Sequence, residues 1–271
     1  MNAPALTTRP PILARRDADG VATLTLDDPT SRNALSEAML AALSETFAAI
    51  AEDRSVRAVV LTAVGPCFSS GHNLKEMSAR RTDPDRGRAY FADIMRRCAT
   101  MMQQVVTLPQ PVVAAVQGLA TAAGCQLVAS CDLAVASSEA RFCTPGVNIG
   151  LFCSTPMVAL SRNVAPKHAM EMLLLGDILP AEEAFRMGLV NRVVPAGEEL
   201  GAAQALAARI AAKSSLTVKV GKRAFYEQAT MSLPDAYAHA SAVMVENMLA
   251  RDAEEGINAT LQKRQPQWEH R

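Results

Sequence analysis

Gly118-Leu-Ala-Thr-Ala-Ala-Gly124, read together with Phe68-Ser-Ser-Gly-His-Asn-Leu-Lys75 some fifty residues upstream, decides the fold. Each is a small-residue turn that follows an apolar run of strand type, Ala58 to Val64 before one and Val112 to Val116 before the other. Each then opens a helix-like segment. Two such turns can aim backbone N–H groups at one point. That is what a carbonyl oxygen needs as it takes on negative charge in an enolate.

Working outward, the same alternation repeats. Ile12 to Arg16 and Val21 to Leu26 flank Asp17-Ala-Asp-Gly20, which reads as a β-hairpin with glycine in the tight position. Ser36 is a plausible N-cap, after which Met39, Leu43, Phe47 and Ile50 recur at helical spacing. Ala58 to Val64 is continuously apolar, as a strand covered on both faces would be. Arg80 to Arg88 is charged and broken by Pro84 and Gly87, which predicts a mobile surface loop. Tyr90, Ile94, Cys98, Met101 and Val105 form the next helical stripe, stopped by Pro109 and Pro111. Val112 to Val116, a helix over Ala122 to Ser130, Leu133 to Ala136 and Arg141 to Cys143 complete a βαβ pattern, hence an α/β fold.

From Thr155 the chain reads as helices, interrupted by one strand over Leu189 to Val194. The predicted division is a flexible N-terminus at 1–11, an α/β core at 12–195 and a helical C-terminal segment at 196–271. The tail stripes, such as Tyr237, Ser241, Met244 and Met248, can pack on a neighbouring subunit as readily as on their own core.

Composition narrows the function class. Of 271 residues, 49% are apolar and 20% charged, an ordinary globular balance, and the net charge is zero. A bulk field for nucleic acid or membrane is therefore not indicated, and no apolar run approaches the ~18 residues of a membrane span. The six cysteines show no C-x-x-C spacing and read as buried reduced thiols. Four histidines in no metal motif argue against a metal site. Met1 to Arg16 has no apolar core for secretion, and its Arg9, Arg15 and Arg16 without acidic residues leave a short organellar presequence open. The expectation is a cytoplasmic protein if bacterial, mitochondrial if eukaryotic.

Five segments in order and spacing carry a family resemblance: Phe68 to Met77, Pro111 to Gly118, Gly124-Cys-Gln-Leu-Val-Ala-Ser-Cys-Asp132, Leu174-Leu-Gly-Asp-Ile178 and Ala184-Phe-Arg-Met-Gly-Leu-Val190. Through them the chain resembles the crotonase superfamily, the enoyl-CoA hydratase/isomerase family. The resemblance implies a crotonase-like spiral of ββα units with a C-terminal helical trimerisation segment, and a homo-trimer or hexamer. It implies an acyl-CoA thioester as partner, coenzyme A entering as part of that substrate with no tightly bound cofactor. It places the two oxyanion N–H donors on His72 and Ala123. It puts Arg32 and Ala34, in Ser31-Arg-Asn-Ala-Leu35, near the coenzyme A adenine and phosphates, and lines the thioester site with Ser70, Asn73, Leu74, Ala120, Ala122 and Pro145. Arg suits phosphate, and a helix beginning at Ala122 and Ala123 favours an oxyanion at its positive end. Along Phe142 to Pro156 the chain is similar to one branch of the family, the enoyl-CoA hydratase domain-containing protein 3 group, mitochondrial in animals.

The departures are chemical. Family hydratases carry a glutamate where this chain has Gln126, and another where it has Gly146. Hydration needs a base to activate water and an acid to protonate the α-carbon. A Gln amide can hold water but cannot take its proton near neutral pH. The resemblance therefore implies an enoyl-CoA hydratase-like lyase whose hydratase activity is weak or absent. Two alternatives stay open: decarboxylation or other enolate chemistry using His72, and non-catalytic acyl-CoA binding. The family's methylmalonyl-CoA decarboxylases also have a histidine at this turn, but their tyrosine near Phe152 or Cys153 has no counterpart here. Glu76 is a relocated carboxylate or, more simply, a solvated surface residue. Asp132 reads as a structural acceptor, Ser154 and Thr155 as helix caps or pocket hydroxyls, and Lys219, Lys222 and Arg223 as a solvated basic face or a phosphate contact.

Overall fold

The computed structural model describes residues 12–271; the expected flexible stretch at 1–11 lies outside the described residues. Strands β1 (Leu13–Ala18) and β2 (Val21–Leu26) form the expected antiparallel hairpin, Ala18 opposite Val21. Asp19 and Gly20, at φ 52° and 80°, make the left-handed two-residue turn that matches strand twist. The pairing runs two residues further than Ile12 to Arg16 would give.

Helix α1 (Glu37–Glu52) starts where Ser36 Oγ accepts the Met39 N–H at 3.2 Å, and buries Met39, Leu43, Phe47 and Ile50 as the spacing predicts. Strands β3 (Ala58–Ala63), β5 (Val112–Val116), β7 (Leu133–Ser137) and β10 (Arg192–Val194) join the hairpin in one sheet of order β1-β2-β3-β5-β7-β10, parallel from β2 onward. All five residues of β5 are buried. Val112, Ala114 and Val116 face the main core with α1 and α3 (Arg88–Thr107), while Val113 and Ala115 face Ala203, Ala207 and Ala211 of α8 (Glu199–Ala211). That two-sided cover explains why these strands read as unbroken apolar runs.

Expected as turn, Cys67–Ser69 (β4) and Leu119–Thr121 (β6) are instead strands of a second sheet, ordered β4-β6-β8-β9, with β8 at Arg141–Cys143 and β9 at Leu179–Pro180. Strands of two or three residues are too short to show a period. Thus β3, β5 and β7 each hand on to a strand of the second sheet before a helix follows, which is the spiral of ββα units. The Arg80–Arg88 segment is organised: a 3-10 turn at Arg80–Thr82, Asp85 accepting from the Gly87 and Ala89 N–H groups, and the Arg80 guanidinium 4.9 Å from the Tyr90 ring centre.

The other helices that precede the tail are α2 (Leu74–Ala79), α4 (Ala123–Ser130), α5 (Pro156–Asn163), α6 (Pro166–Leu175) and α7 (Ala181–Met187). The tail itself is α9 (Ser215–Gln228), α10 (Leu233–Met248) and α11 (Arg251–Leu261). Neither α9 nor α10 fully buries a residue. Lys222 corrects the solvated-face expectation. Its side chain is 7% exposed, and Nζ donates to Asp132 Oδ2 at 2.7 Å, the Val105 carbonyl at 3.1 Å and the Gln110 carbonyl at 3.3 Å. Asp132 is the structural acceptor expected, taking also the Val112 N–H at 2.7 Å and the Tyr226 hydroxyl at 3.0 Å. Lys219 and Arg223 are exposed. Among the described residues no helix is long and apolar enough to cross a membrane.

Candidate active site

The His72 turn is laced to residues 32–37. Ser70 N–H donates to the Arg32 carbonyl at 3.0 Å, Ser69 Oγ to the Asn33 carbonyl at 2.8 Å, and Leu35 N–H to the Gly71 carbonyl at 2.7 Å. Asn33, overlooked in the sequence, holds this lacing together. Fully buried at φ 52°, it donates through Nδ2 to the Val64 and Cys67 carbonyls at 2.9 and 2.7 Å and accepts the Asp28 N–H at 2.9 Å. Its signal was an amide side chain inside Ser31-Arg-Asn-Ala-Leu35, a residue type tolerant of left-handed backbone.

The second turn lies against the first. A Cβ on Gly124 would fall 2.3 Å from the Ser69 carbonyl oxygen, so only glycine lets α4 approach β4 this closely. A Cβ on Gly71 would fall 3.0 Å from the Ala123 nitrogen, so the residue before one expected donor lies against the other donor. Ala122, at φ 51° and ψ −120°, holds a conformation normally left to glycine. Such strain costs of order 1–3 kcal/mol and persists where the surroundings impose it. Here the Ala122 N–H is fixed to the Cys143 carbonyl at 3.0 Å, and the Ala122 carbonyl takes the Gln126 N–H at 3.0 Å. The N–H groups of His72 and Ala123 have no hydrogen-bond partner among the described residues. The latter opens α4, whose positive end adds to any anion held there.

Around this centre the side chains are neutral. Both ring nitrogens of His72 are buried without a hydrogen-bond partner, and burial pulls the imidazole below its usual pKa, offset in part by the Leu35 carbonyl. Gln126 is 4% exposed and its Oε1 is likewise unpartnered. It lies one turn into α4, from which a side chain leans back toward Ala123. Gly146 is buried in a 3-10 turn, Pro145–Ile149, that Pro145 opens. A Cβ there would meet the Leu151 carbonyl oxygen at 2.8 Å and Cys153 Sγ at 2.9 Å. Burial pushes the Cys153, Cys143 and Cys125 thiols up, so none is a ready thiolate.

The remaining expected residues divide. Arg32 is exposed beside the Ser70 turn and Ala34 is buried behind it. Asn73 caps α2, its Oδ1 accepting from Lys75 and Glu76 N–H at 3.1 and 3.4 Å, and Leu74 is exposed at the start of that helix. Ala120 is fully buried in β6 between Ser69 and Phe142. Glu76 is half-buried rather than free on the surface: Oε2 accepts the Glu37 N–H at 3.1 Å. Thr155 precedes α5 without capping it, and Ser154 Oγ is exposed and donates to the Phe152 carbonyl at 3.3 Å, so neither hydroxyl acts as a cap. Among the described residues no cluster of three His, Cys, Asp or Glu could hold a metal ion.

The chain is similar to known proteins along nearly its whole length. The profile described as enoyl-CoA hydratase/isomerase matches residues 16–271. The rat protein named mitochondrial enoyl-CoA hydratase domain-containing protein 3 is 46% identical over 263 residues, 97% of this chain and 86% of the relative. A solved enoyl-CoA hydratase structure from Mycobacterium smegmatis superposes with TM-score 0.91 at 51% identity, covering 95% of this chain and 99% of that one. The human enoyl-CoA hydratase domain-containing protein 3 structure gives TM-score 0.90 at 45% identity, over 95% and 100% of the two chains.

Proposed function

The chain belongs to the enoyl-CoA hydratase/isomerase family, and on that premise we propose that it binds an acyl-CoA thioester and polarises its carbonyl between the N–H groups of His72 and Ala123. The observation that carries this reading is that pair of N–H groups, brought to adjoining positions by the Gly71–Ala123 contact and left without protein partners. Donors of this kind stabilise an enolate without reorganising as charge develops. Coenzyme A enters as part of the substrate, with Arg32 meeting its phosphates, and no other cofactor is required.

With Gln126 and Gly146 at those positions, neither family carboxylate is there to take a proton from water. One positioned acid or base typically contributes ~10²–10⁴ in rate. Hydration of crotonyl-CoA should therefore run at least ~10³-fold more slowly than in an enzyme carrying both. Calorimetry with acetyl- and octanoyl-CoA tests the binding, with affinities expected in the micromolar range; no binding at high micromolar ligand sinks the reading. Loss of enoyl absorbance tests the chemistry, and fast turnover would show that another residue supplies the base.

A second reading rests on His72, whose ring nitrogens are buried and unpartnered. In a malonyl-type thioester, breaking the bond to the carboxyl carbon releases CO₂ and leaves the electron pair in the same thioester enolate, with no base needed. The α-carbon then takes a proton from the His72 ring N–H, and water returns one to the ring. Carbon dioxide released from malonyl- or methylmalonyl-CoA would favour this branch; binding without any turnover would leave a carrier of acyl-CoA. In either case we take α9–α11 as the segment through which three or six copies assemble around the 12–195 core.

A further inference from the structure

The last stitch between the His72 turn and its backing is a side chain. Helix α2 has six residues, far short of the ~12–15 at which a helix begins to stand alone. Its place is therefore set by what it touches. Glu76 Oε2 accepts the N–H of Glu37, the first residue of the 16-residue helix α1, at 3.1 Å. The carboxylate thereby takes one of the orphan donors of that helix and sits at its positive end. Glu37 is itself held from α3. Arg97 Nη2 donates to its carbonyl at 2.8 Å, and Arg97 Nη1 and Arg80 Nη2 lie 3.7 and 3.9 Å from its carboxylate. Helices α1, α2 and α3 meet at this Glu37–Glu76 contact, four residues along the chain from His72.

Building on the reading of His72 as an oxyanion donor, we propose that Glu76 is a positioning residue for that donor. Its carboxylate docks α2 on α1 and so fixes where the His72 N–H lies relative to the Ala123 N–H. An oxyanion donor works only within about 2.7–3.1 Å of the charge, so a sub-ångström drift of α2 is enough to disable it.

Acetoacetyl-CoA gives a direct readout. Its enolate absorbs in the near ultraviolet, so the intensity of that band at saturation reports oxyanion stabilisation separately from affinity for the coenzyme A portion. The expected result is a band in the wild type that falls about tenfold or more in Glu76→Ala, while CoA affinity changes less than about twofold. Glu76→Gln, whose amide oxygen can still accept from Glu37, should keep most of the band. Amide exchange at His72 and Asn73 should quicken in the Ala variant and not in the Gln variant, and melting curves check that both are folded. A full band in Glu76→Ala overturns the proposal, as does an equal loss in both variants, which would make the charge rather than the docking responsible. A wild type that binds acetoacetyl-CoA with no band refutes the oxyanion reading itself, and this inference with it.

Discussion

The sulfur of Cys153 stands where a side chain on residue 146 would begin: a Cβ added to Gly146 lies 2.9 Å from Sγ and 2.8 Å from the Leu151 carbonyl oxygen. Gly146 is not among the residues at positive φ, so what bars a side chain is space rather than backbone conformation. The position at which the family resemblance leads one to expect a second carboxylate is therefore closed, not merely empty. Gly146→Ala should cost about 1–3 kcal/mol, as overpacking does, visible as a lower urea midpoint. The Gln126 position is open in a way that Gly146 is not. Gln126→Glu alone should raise hydration of crotonyl-CoA, and adding Gly146→Glu should lower the melting temperature without a matching further gain. A double variant that is both stable and much faster would show that the Leu151–Cys153 loop yields.

His72 gives a pH signature. Burial lowers its folded pKa below the ordinary 6.5. As pH falls through about 6.5, the unfolded chain takes up a proton that the folded chain refuses, so this group makes the protein less stable until pH reaches the folded pKa. Between pH 7.5 and 5.5 the wild type should lose more stability than His72→Gln. Urea denaturation of both proteins at the two pH values measures the difference. Parallel losses would mean the imidazole reaches water or a partner.

What was legible in the sequence follows from range. Val112 to Val116 announced a doubly covered strand because all five positions needed apolar residues, and Ser36 announced a helix start because capping is local. The strands β4, β6 and β9 were invisible because two or three residues carry no period. The contact of Gly71 with Ala123 spans some fifty residues, and only resemblance to a family joined them. Lys222 looked like its exposed neighbours Lys219 and Arg223, because what singles it out is a carboxylate 90 residues away. The closure at Gly146 depends on a thiol and a carbonyl from a different turn of the loop.

That Lys222–Asp132 pair is the main tie between α9 and its own core. Burial lowers the Lys222 pKa while Asp132, at 2.7 Å, opposes the shift. Removing one member of a buried pair leaves the other charge uncompensated, typically at about 3–5 kcal/mol. Lys222→Met should lie toward the lower end, because Asp132 keeps the Val112 N–H and the Tyr226 hydroxyl as donors. Asp132→Leu strips all three and should be worse. Chemical denaturation distinguishes the two; equal, small effects would mean that water replaces the pair.

Arg32 is exposed beside the Ser70 turn, so its contribution to coenzyme A binding should be modest and sensitive to salt. Arg32→Ala should weaken CoA by about 1–3 kcal/mol at low ionic strength if it meets a phosphate through charged hydrogen bonds, with the gap narrowing as salt is raised. Calorimetry at two ionic strengths measures it. An unchanged affinity at both would leave Arg32 as a surface residue whose importance is its left-handed backbone, φ 58°, in the lacing of residues 32–37.

The tail helices make the largest-scale prediction. Leu233, Leu249 and Leu261 are 72, 77 and 76% exposed, and Tyr237, Met244 and Met248 are exposed along one face of α10 at helical spacing. An apolar cavity of about 610 Å³, lined in part by Val218, Met248, Ile257, Leu261 and Trp268, opens between α9, α10 and α11. So many exposed large apolar side chains on three neighbouring helices point to a covered face. Light scattering should therefore return a mass of three or six copies. Met244→Asp, placing a charge in the middle of the α10 stripe, should lower that mass, whereas Glu246→Ala, on the polar side, should not. Because Lys222 keeps α9 on its own core, the dissociated variant should retain its helical content and its main melting transition. A monomeric wild type would instead mean that α10 and α11 fold back over their own apolar faces in solution.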